Sequence, residues 1–149
     1  MNALDGELRD GRHVMELRVY YEDTDFSGAV YHASYLRFME RGRTNLLRCL
    51  GADQRALFED ADGRAGAFMV HSMQIDFRKP ARMDDILTVT TAPAEVKGAS
   101  VILRQQVRRG DDLLVEASVR VVFVSGNRPQ PIPKALREAM RTTALPPAD

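Results

Sequence analysis

The feature that most constrains the fold of this chain is one long amphipathic segment, from about Tyr31 to Leu50. Successive residues of a helix are about 100° apart, and at this spacing the apolar residues of the segment gather on one side. That side holds His32, Leu36, Met39, Leu46, Leu47 and Leu50, and it is widened by Phe38, Gly42 and Cys49. The opposite, hydrated side holds Arg37, Arg41, Thr44, Asn45 and Arg48. Because the apolar side takes up roughly half the circumference, we predict a helix that is wrapped by a curved surface.

Two residues in the middle of this helix lead to further predictions. Gly42 costs about 1 kcal/mol relative to alanine in a helix interior, which indicates close backbone packing at this point. Arg43 lies near the middle of the apolar side, where a buried guanidinium needs a partner. Glu40, three residues earlier, is the nearest candidate, and we expect the pair to be structural rather than catalytic.

Alternating apolar and polar residues predict five strands around this helix. The predicted strands are His13–Tyr21, Ala67–Phe77, Ile86–Val96, Ser100–Arg108 and Leu113–Val124. The first strand would place Tyr21 on its apolar face. Glycine-containing turns between the last three strands favour antiparallel hairpins. One strand, a long central helix and four antiparallel strands predict an α+β fold with a five-stranded sheet.

The remaining segments are shorter and predict less. Residues 1–11 look like a loose tail, and residues 52–63 read as an irregular or partly helical connection. Residues 127–133 contain three prolines and predict an extended connector, followed by a short helix over residues 134–140. We expect one domain spanning residues 1–149, with its core between about residues 13 and 140.

The loop between the first strand and the helix has the residues best suited to chemistry. Asp23 and Asp25 lie just before Gly28, which is free to adopt a positive φ, and His32 follows Asp25 by seven residues. A carboxylate that faces the amide-rich start of a helix suits reactions of a carbonyl group, because the N–H groups there stabilise an oxyanion. The alternative is a strand–helix loop that is merely rich in capping residues.

Composition excludes several other classes of function. Basic and acidic residues balance at 21 each, so net charge does not indicate a nucleic acid partner. The three histidines are scattered, and no nucleotide-binding or serine-hydrolase motif occurs, so neither a metal nor a cofactor is expected. We interpret Cys49 as a small buried side chain and His71 as a core or pocket-wall residue. No apolar run could span a membrane and no signal peptide is recognised, so a cytoplasmic protein is expected.

Two stretches resemble a known family. Residues 23–43 read D-T-D-F-S-G-A-V-Y-H-A-S-Y-L-R-F-M-E-R-G-R, and residues 75–85 read I-D-F-R-K-P-A-R-M-D-D. Both are similar to hotdog-fold acyl-CoA thioesterases of the Tol–Pal-associated YbgC-type branch, which is related to the 4-hydroxybenzoyl-CoA thioesterases. The resemblance covers residues 13–140. Two departures are Gly42, where relatives usually carry alanine, and the Phe26-Ser27 pair in the loop.

The resemblance implies a hotdog fold, an acyl-CoA substrate and a set of catalytic residues. Asp25 matches the catalytic carboxylate, as general base on water or as nucleophile, and this choice stays open. His32 would donate a hydrogen bond to the carbonyl or simply pack at the helix start. Tyr21 would orient water or Asp25 through its hydroxyl, and Asp23 would cap the loop or the helix.

Substrate-binding residues are implied at two places. Gly28, Val30 and Tyr31 belong to the loop and helix start. Arg78 and Lys79, together with Arg82, form a basic cluster that suits the phosphates of coenzyme A or of an acyl carrier protein's prosthetic arm. The alternative for this cluster is ordinary hydrated surface.

Two further expectations concern activity and assembly. The first is a thioester hydrolase, and its alternative is a non-catalytic module on the same fold that binds acyl-CoA or an acyl carrier protein. The second is a homodimer at least, or a tetramer of two dimers, because unshielded strand edges favour pairing with another copy.

Overall fold

A computed structural model describes residues 3–51 and 66–143, so the connection predicted over residues 52–63 lies outside the described residues. The strands are β1 (Glu7–Arg9), β2 (Arg12–Arg18), β3 (Gly66–Phe77), β4 (Ile86–Val96), β5 (Ser100–Arg109), β6 (Asp112–Ser125) and β7 (Arg128–Pro129). The helices are α1 (His32–Cys49) and α2 (Lys134–Thr143), with 3₁₀ turns at Ala3–Asp5 and Tyr21–Asp23. The long helix and the five long strands lie close to their predicted positions.

The strands form one antiparallel sheet in the order β1-β2-β4-β5-β6-β3, with β7 paired to β6. The described residues therefore contain a seven-stranded sheet, two strands more than predicted. The expected loose tail is wrong for Glu7–Arg9, which pairs with β2 through a tight turn at Asp10 and Gly11. Both turn residues have positive φ, as an Asp-Gly hairpin requires. The added strands have three and two residues, too few to show an alternating pattern.

The sheet supplies the curved surface expected around α1. Alternate residues of β4, β5 and β6 are buried against the helix, as their patterns predicted. The buried face of α1 is centred on Gly42 rather than on Arg43, so Leu36 is exposed and Asn45 is buried, contrary to expectation. Burial of Asn45 is tolerated because its amide donates to the Leu4 carbonyl and its oxygen accepts from Arg48.

Close packing at Gly42 is confirmed, because a Cβ atom there would lie 2.6 Å from Thr91 Oγ1. The predicted partner of Arg43 is corrected. Its guanidinium donates to Gln105 Oε1 at 3.0 Å, while the Glu40 carboxylate accepts from Thr44. Burial lowers the pKa of Arg43, and the charge of Glu40 acts in the opposite direction from a greater distance.

Strand β3 is the edge of the sheet next to β6, and its alternation is interrupted. A register shift between Val70 and Ser72 inserts His71 as an extra residue. Before the shift Phe68 packs on Phe123 with ring centroids 5.2 Å apart, and after it Met73 and Ile75 face the core. His71 is exposed, so its assignment to the core or a pocket wall is wrong. A single inserted residue exchanges the faces of a strand.

Candidate active site

The loop between β2 and α1 is closed by Asp23. Its carboxylate accepts the N–H of Tyr20 at 2.8 Å, and its carbonyl accepts the N–H of Tyr31 at 2.9 Å and the hydroxyl of Ser34 at 3.1 Å. These contacts hold the 3₁₀ turn against the first turn of α1. Asp23 therefore stabilises the loop, in agreement with its predicted capping role.

Tyr21 is not on a buried strand face, which corrects the prediction. Strand β2 ends at Arg18, and Tyr21 begins the 3₁₀ turn with its side chain 80% exposed. The N–H and the hydroxyl of Thr24 both donate to the Tyr21 carbonyl, and the N–H of Asp23 donates to the Tyr20 carbonyl. These local hydrogen bonds favour a turn over a continued strand.

One carboxylate oxygen of Asp25 is held by hydrogen bonds, and the other is open to solvent. Its Oδ1 accepts the hydroxyl of Ser27 at 2.5 Å and the N–H of Ser27 at 2.8 Å. These two hydrogen bonds, with a smaller contribution from the charge of His32, lower the pKa of Asp25. Among the described residues, Oδ2 has no hydrogen-bond partner. The side chain is exposed to solvent, so this oxygen can reach water or a substrate.

Ser27 was not predicted as a site residue, although the sequence contains a signal for it. An aspartate two residues before a serine commonly accepts hydrogen bonds from the serine backbone and hydroxyl. Gly28 completes the turn with φ +85°, which confirms its predicted positive φ. Its N–H donates to the Asp25 carbonyl at 3.0 Å, and the Asp25 N–H donates to Ala29 at 2.9 Å.

The start of α1 is left without a side-chain cap. Tyr31 is the N-cap residue and makes no capping hydrogen bond through its side chain, which is half exposed. Within the described residues, the N–H groups of His32 and Ala33 have no acceptor. The His32 ring is exposed, 4.6 Å from the Tyr31 ring and 6.0 Å from the Phe77 ring between centroids. Unpaired amides and the helix dipole make this end attractive to a negative charge.

A surface depression of about 240 Å³ adjoins the helix start. It is lined by Val30, His32, Tyr35, Phe77, Arg78, Lys79 and Pro80. The depression thus brings together four of the predicted site residues, from the loop, the helix and the segment after β3. Tyr21, Asp25, Gly28 and Tyr31 do not line it.

Arg78 and Lys79 are held by their backbones and have exposed side chains. Both N–H groups donate to the carbonyl of Leu114, at 2.8 and 3.2 Å. Arg78 lies 3.7 Å from Glu116 and Lys79 lies 3.1 Å from Asp112, both as solvent-exposed ion pairs. Such pairs contribute little free energy and exchange readily for another anion. Arg82 is also exposed but does not line the depression.

Other chemistries find little support in the described part of the chain. No cluster of three or more His, Cys, Asp or Glu side chains there could hold a metal ion. Cys49 is half-buried, and burial raises the pKa of its thiol, which disfavours the nucleophilic thiolate. None of the described helices has the length and apolar character needed to cross a membrane.

A long helix wrapped by a curved antiparallel sheet, with a carboxylate loop at the start of the helix, defines a hotdog fold of the thioesterase type. The sequence model of the thioesterase superfamily matches residues 27–116. The chain therefore belongs to the thioesterase superfamily, and it is an enzyme that hydrolyses thioesters.

Three relatives illustrate the similarity. The acyl-CoA thioesterase YbgC of Haemophilus influenzae is 42% identical over 134 residues, covering 89% of this chain and 96% of the relative. The acyl-CoA thioester hydrolase YbgC of Escherichia coli O6:H1 is 41% identical over 123 residues, covering 80% and 89%. The crystal structure of a probable thioesterase from Bartonella henselae matches with a TM-score of 0.80 and 38% identity, covering 82% of this chain and 99% of that one. These relatives confirm the YbgC-type branch.

Proposed function

We propose that the chain hydrolyses acyl-CoA to a free acid and coenzyme A, with Asp25 as the catalytic carboxylate. The observation that carries this proposal is an ionised carboxylate, Asp25, in the loop that leads into an uncapped helix start, close enough for the charge of His32 to lower its pKa. One of its oxygens is anchored by Ser27, and the other is open to a reactant. Its lowered pKa keeps the carboxylate ionised at neutral pH.

The ionised carboxylate serves either of two routes. As a general base, Asp25 takes a proton from water while the water oxygen attacks the thioester carbon. As a nucleophile, it attacks the carbon itself, and water then hydrolyses the resulting mixed anhydride. In both routes the carbonyl oxygen becomes an oxyanion, and the C–S bond breaks to release the coenzyme A thiolate. The amides of His32 and Ala33 are suited to stabilise that oxyanion.

The roles of His32 and Tyr21 follow from where their rings lie. His32 lines the depression and can donate a hydrogen bond to the thioester carbonyl. Tyr21 is exposed, and no hydrogen bond joins its hydroxyl to Asp25 in the described residues. Its proposed role of orienting water or Asp25 therefore rests on the family resemblance.

The coenzyme A end of the substrate fits the basic side of the depression. Arg78 and Lys79 provide cations for its phosphates, and an acyl carrier protein's phosphate-linked arm would offer the same group. Val30 supplies an apolar wall. Gly28 keeps the loop open, since a Cβ atom there would meet nothing within 4 Å, and Tyr31 offers an exposed ring at the helix start.

The test compares two neighbouring carboxylates. We expect Asp25→Asn to reduce kcat by about a thousandfold, the scale of losing a base or nucleophile, with little change in binding of a non-hydrolysable acyl-CoA analogue. Asp23→Asn is the matched control and should be mild, since an amide oxygen can still accept the Tyr20 N–H. Thiol release from a panel of acyl-CoA substrates provides the measurement.

Two outcomes would contradict the proposal. If Asp23→Asn abolishes turnover and Asp25→Asn does not, the catalytic residue is misassigned. If the unmodified protein binds acyl-CoA but releases no thiol from any member of the panel, the non-catalytic binding module is the better description.

A further inference from the structure

One buried alanine joins the catalytic loop to the helix. The N–H of Ala81 donates to the Tyr35 hydroxyl at 2.9 Å, and the carbonyl of Ala81 accepts the N–H of Val30 at 2.8 Å. Ala81 has no exposed surface, and Tyr35 is 3% exposed. Hydrogen bonds this deeply buried are costly to leave unmade. Tyr35 is thus linked to Val30 through both polar groups of one peptide residue.

The link continues from Val30 to the carboxylate. Val30 forms a β-bridge with Thr24, and Ala29 forms a second bridge with Arg82. The Ala29 carbonyl accepts the N–H of Asp25 at 2.9 Å. The position of the Asp25 backbone therefore depends on the segment around Ala81.

That segment is fixed at its far end as well. The Asp85 carboxylate accepts the N–H of Arg82 and the guanidinium of Arg109, each at 2.9 Å. Arg109 also donates to the Pro80 carbonyl at 3.3 Å. With both flanks held to the sheet, the Tyr35 hydroxyl supplies the side-chain connection from the segment to α1.

Tyr35 is well placed to set the distance between the segment around Ala81 and the start of α1. It lies three residues after His32, in the first turn of α1, so it moves with the helix-start amides. Its ring packs against Phe38 and Phe77, with centroids 5.9 and 5.8 Å away, which fixes where the hydroxyl points. Burial raises the pKa of Tyr35, so the hydroxyl stays neutral at physiological pH.

We propose that Tyr35 is a positioning residue that sets the separation between the Asp25 loop and the helix-start amides through Ala81 and Val30. This inference rests on the proposed function, because it assumes that Asp25 and those amides act on the same carbonyl. A displacement of about 1 Å between reacting groups is enough to slow a reaction strongly. Substrate binding, which uses the basic side of the depression, should change little.

The experiment uses Tyr35→Phe, which keeps the ring and its packing and removes only the hydroxyl. Tyr20→Phe, the same change on an exposed ring outside the site, is the control. Two quantities are measured in the full-length protein: kcat and KM on the best acyl-CoA, and hydrogen–deuterium exchange across the chain. We expect kcat to fall by about 10-fold with KM within about twofold. Exchange should quicken at residues 29–31 and 81, but not in β5 or β6.

Each other outcome counts against the inference. Unchanged exchange at residues 29–31 would show that the hydroxyl does not hold the loop. Faster exchange with unchanged kcat would show a purely structural link, and faster exchange throughout the sheet would show general destabilisation. The exchange measurement does not depend on the identity of the catalytic residue. Failure of the proposed function, seen in Asp25→Asn, is therefore distinguishable from failure of the link.

Discussion

Ser27 determines both the orientation and the ionisation of Asp25. The serine hydroxyl and N–H bind the same carboxylate oxygen, which orients the other oxygen away from the turn. Because these donors stabilise the charged form, they lower the pKa of Asp25 below its ordinary value near 3.8. A residue absent from the predicted site is thus the one that orients and ionises the proposed catalytic carboxylate.

Removal of the serine hydroxyl should shift the pH dependence of the reaction. In Ser27→Ala the largest cause of the lowered pKa is lost, so Asp25 becomes protonated at a higher pH than in the unmodified protein. We expect the acid limb of the kcat/KM profile to move to higher pH, while activity at neutral pH changes less. Initial rates measured from acid to neutral pH test this expectation. Ser118→Ala, on the exposed outer face of β6, is the control, and an unmoved limb in Ser27→Ala would contradict the assignment.

Among the elements, the N-terminal segment is held in place by a buried histidine. His13 on β2 is fully buried, and its Nε2 donates to the Asp5 carbonyl at 2.6 Å. Gly6 packs so closely that a Cβ atom there would lie 2.8 Å from the ring. The Nδ1 atom of His13 is buried and has no partner among the described residues. The ring is therefore neutral, and burial lowers the pKa of His13 despite the opposing charge of Asp5.

This histidine should make stability fall in mild acid. Below pH 6.5 the unfolded chain binds a proton at His13 that the folded chain does not, so unfolding becomes more favourable as pH falls. Since one pKa unit corresponds to about 1.4 kcal/mol, the loss between pH 7.5 and 5.5 should reach at most about 1.4 kcal/mol. We expect His13→Gln to remove this contribution. Denaturant unfolding at the two pH values measures it, with His71→Gln on an exposed ring as the control. Equal pH dependence in both variants would contradict the prediction.

For the whole molecule, the exposed edge and the open site indicate a second copy. Strand β3 presents 12 residues at the edge of the sheet, and Met69, Val70 and Phe77 on it are exposed. In the loop that carries Asp25, the Phe26 side chain is entirely exposed, as in an isolated residue. A long apolar edge is usually covered, and two identical edges can pair about a twofold axis. The second copy would also cover the loop.

We predict a mass of two or four chains, rather than the 16.7 kDa of one chain, by light scattering at micromolar concentration. Met69→Lys places a charge on the exposed edge and should lower the assembly state. Turnover should fall with the assembly state, because the loop that carries Asp25 loses its cover. Leu8→Lys, on the short β1 strand at the other edge, should change neither quantity. A fully active monomer would overturn the prediction.

The sequence alone determined the features that depend on neighbouring residues. Periodicity placed the long helix and the five long strands, because burial of one face repeats at the spacing of each element. The freedom of Gly28 to adopt a positive φ and the close packing at Gly42 also followed from the sequence, since glycine lacks a side chain. The family resemblance, clearest in residues 23–43 and 75–85, then identified the class of enzyme.

Tertiary structure decided the contacts between residues distant along the chain. Three features depend on segments about 40 to 60 residues apart in the chain. They are the buried side of α1, the hydrogen bond from Ala81 to Tyr35 and the partner of Arg43. Tyr21 was misplaced because β2 ends at Arg18 and a 3₁₀ turn follows, and His71 was misplaced because a bulge shifts the register of β3. The alternation of apolar and polar residues in the sequence does not reveal such changes. One inserted residue costs little locally, and the packing of the whole sheet determines where it is accommodated.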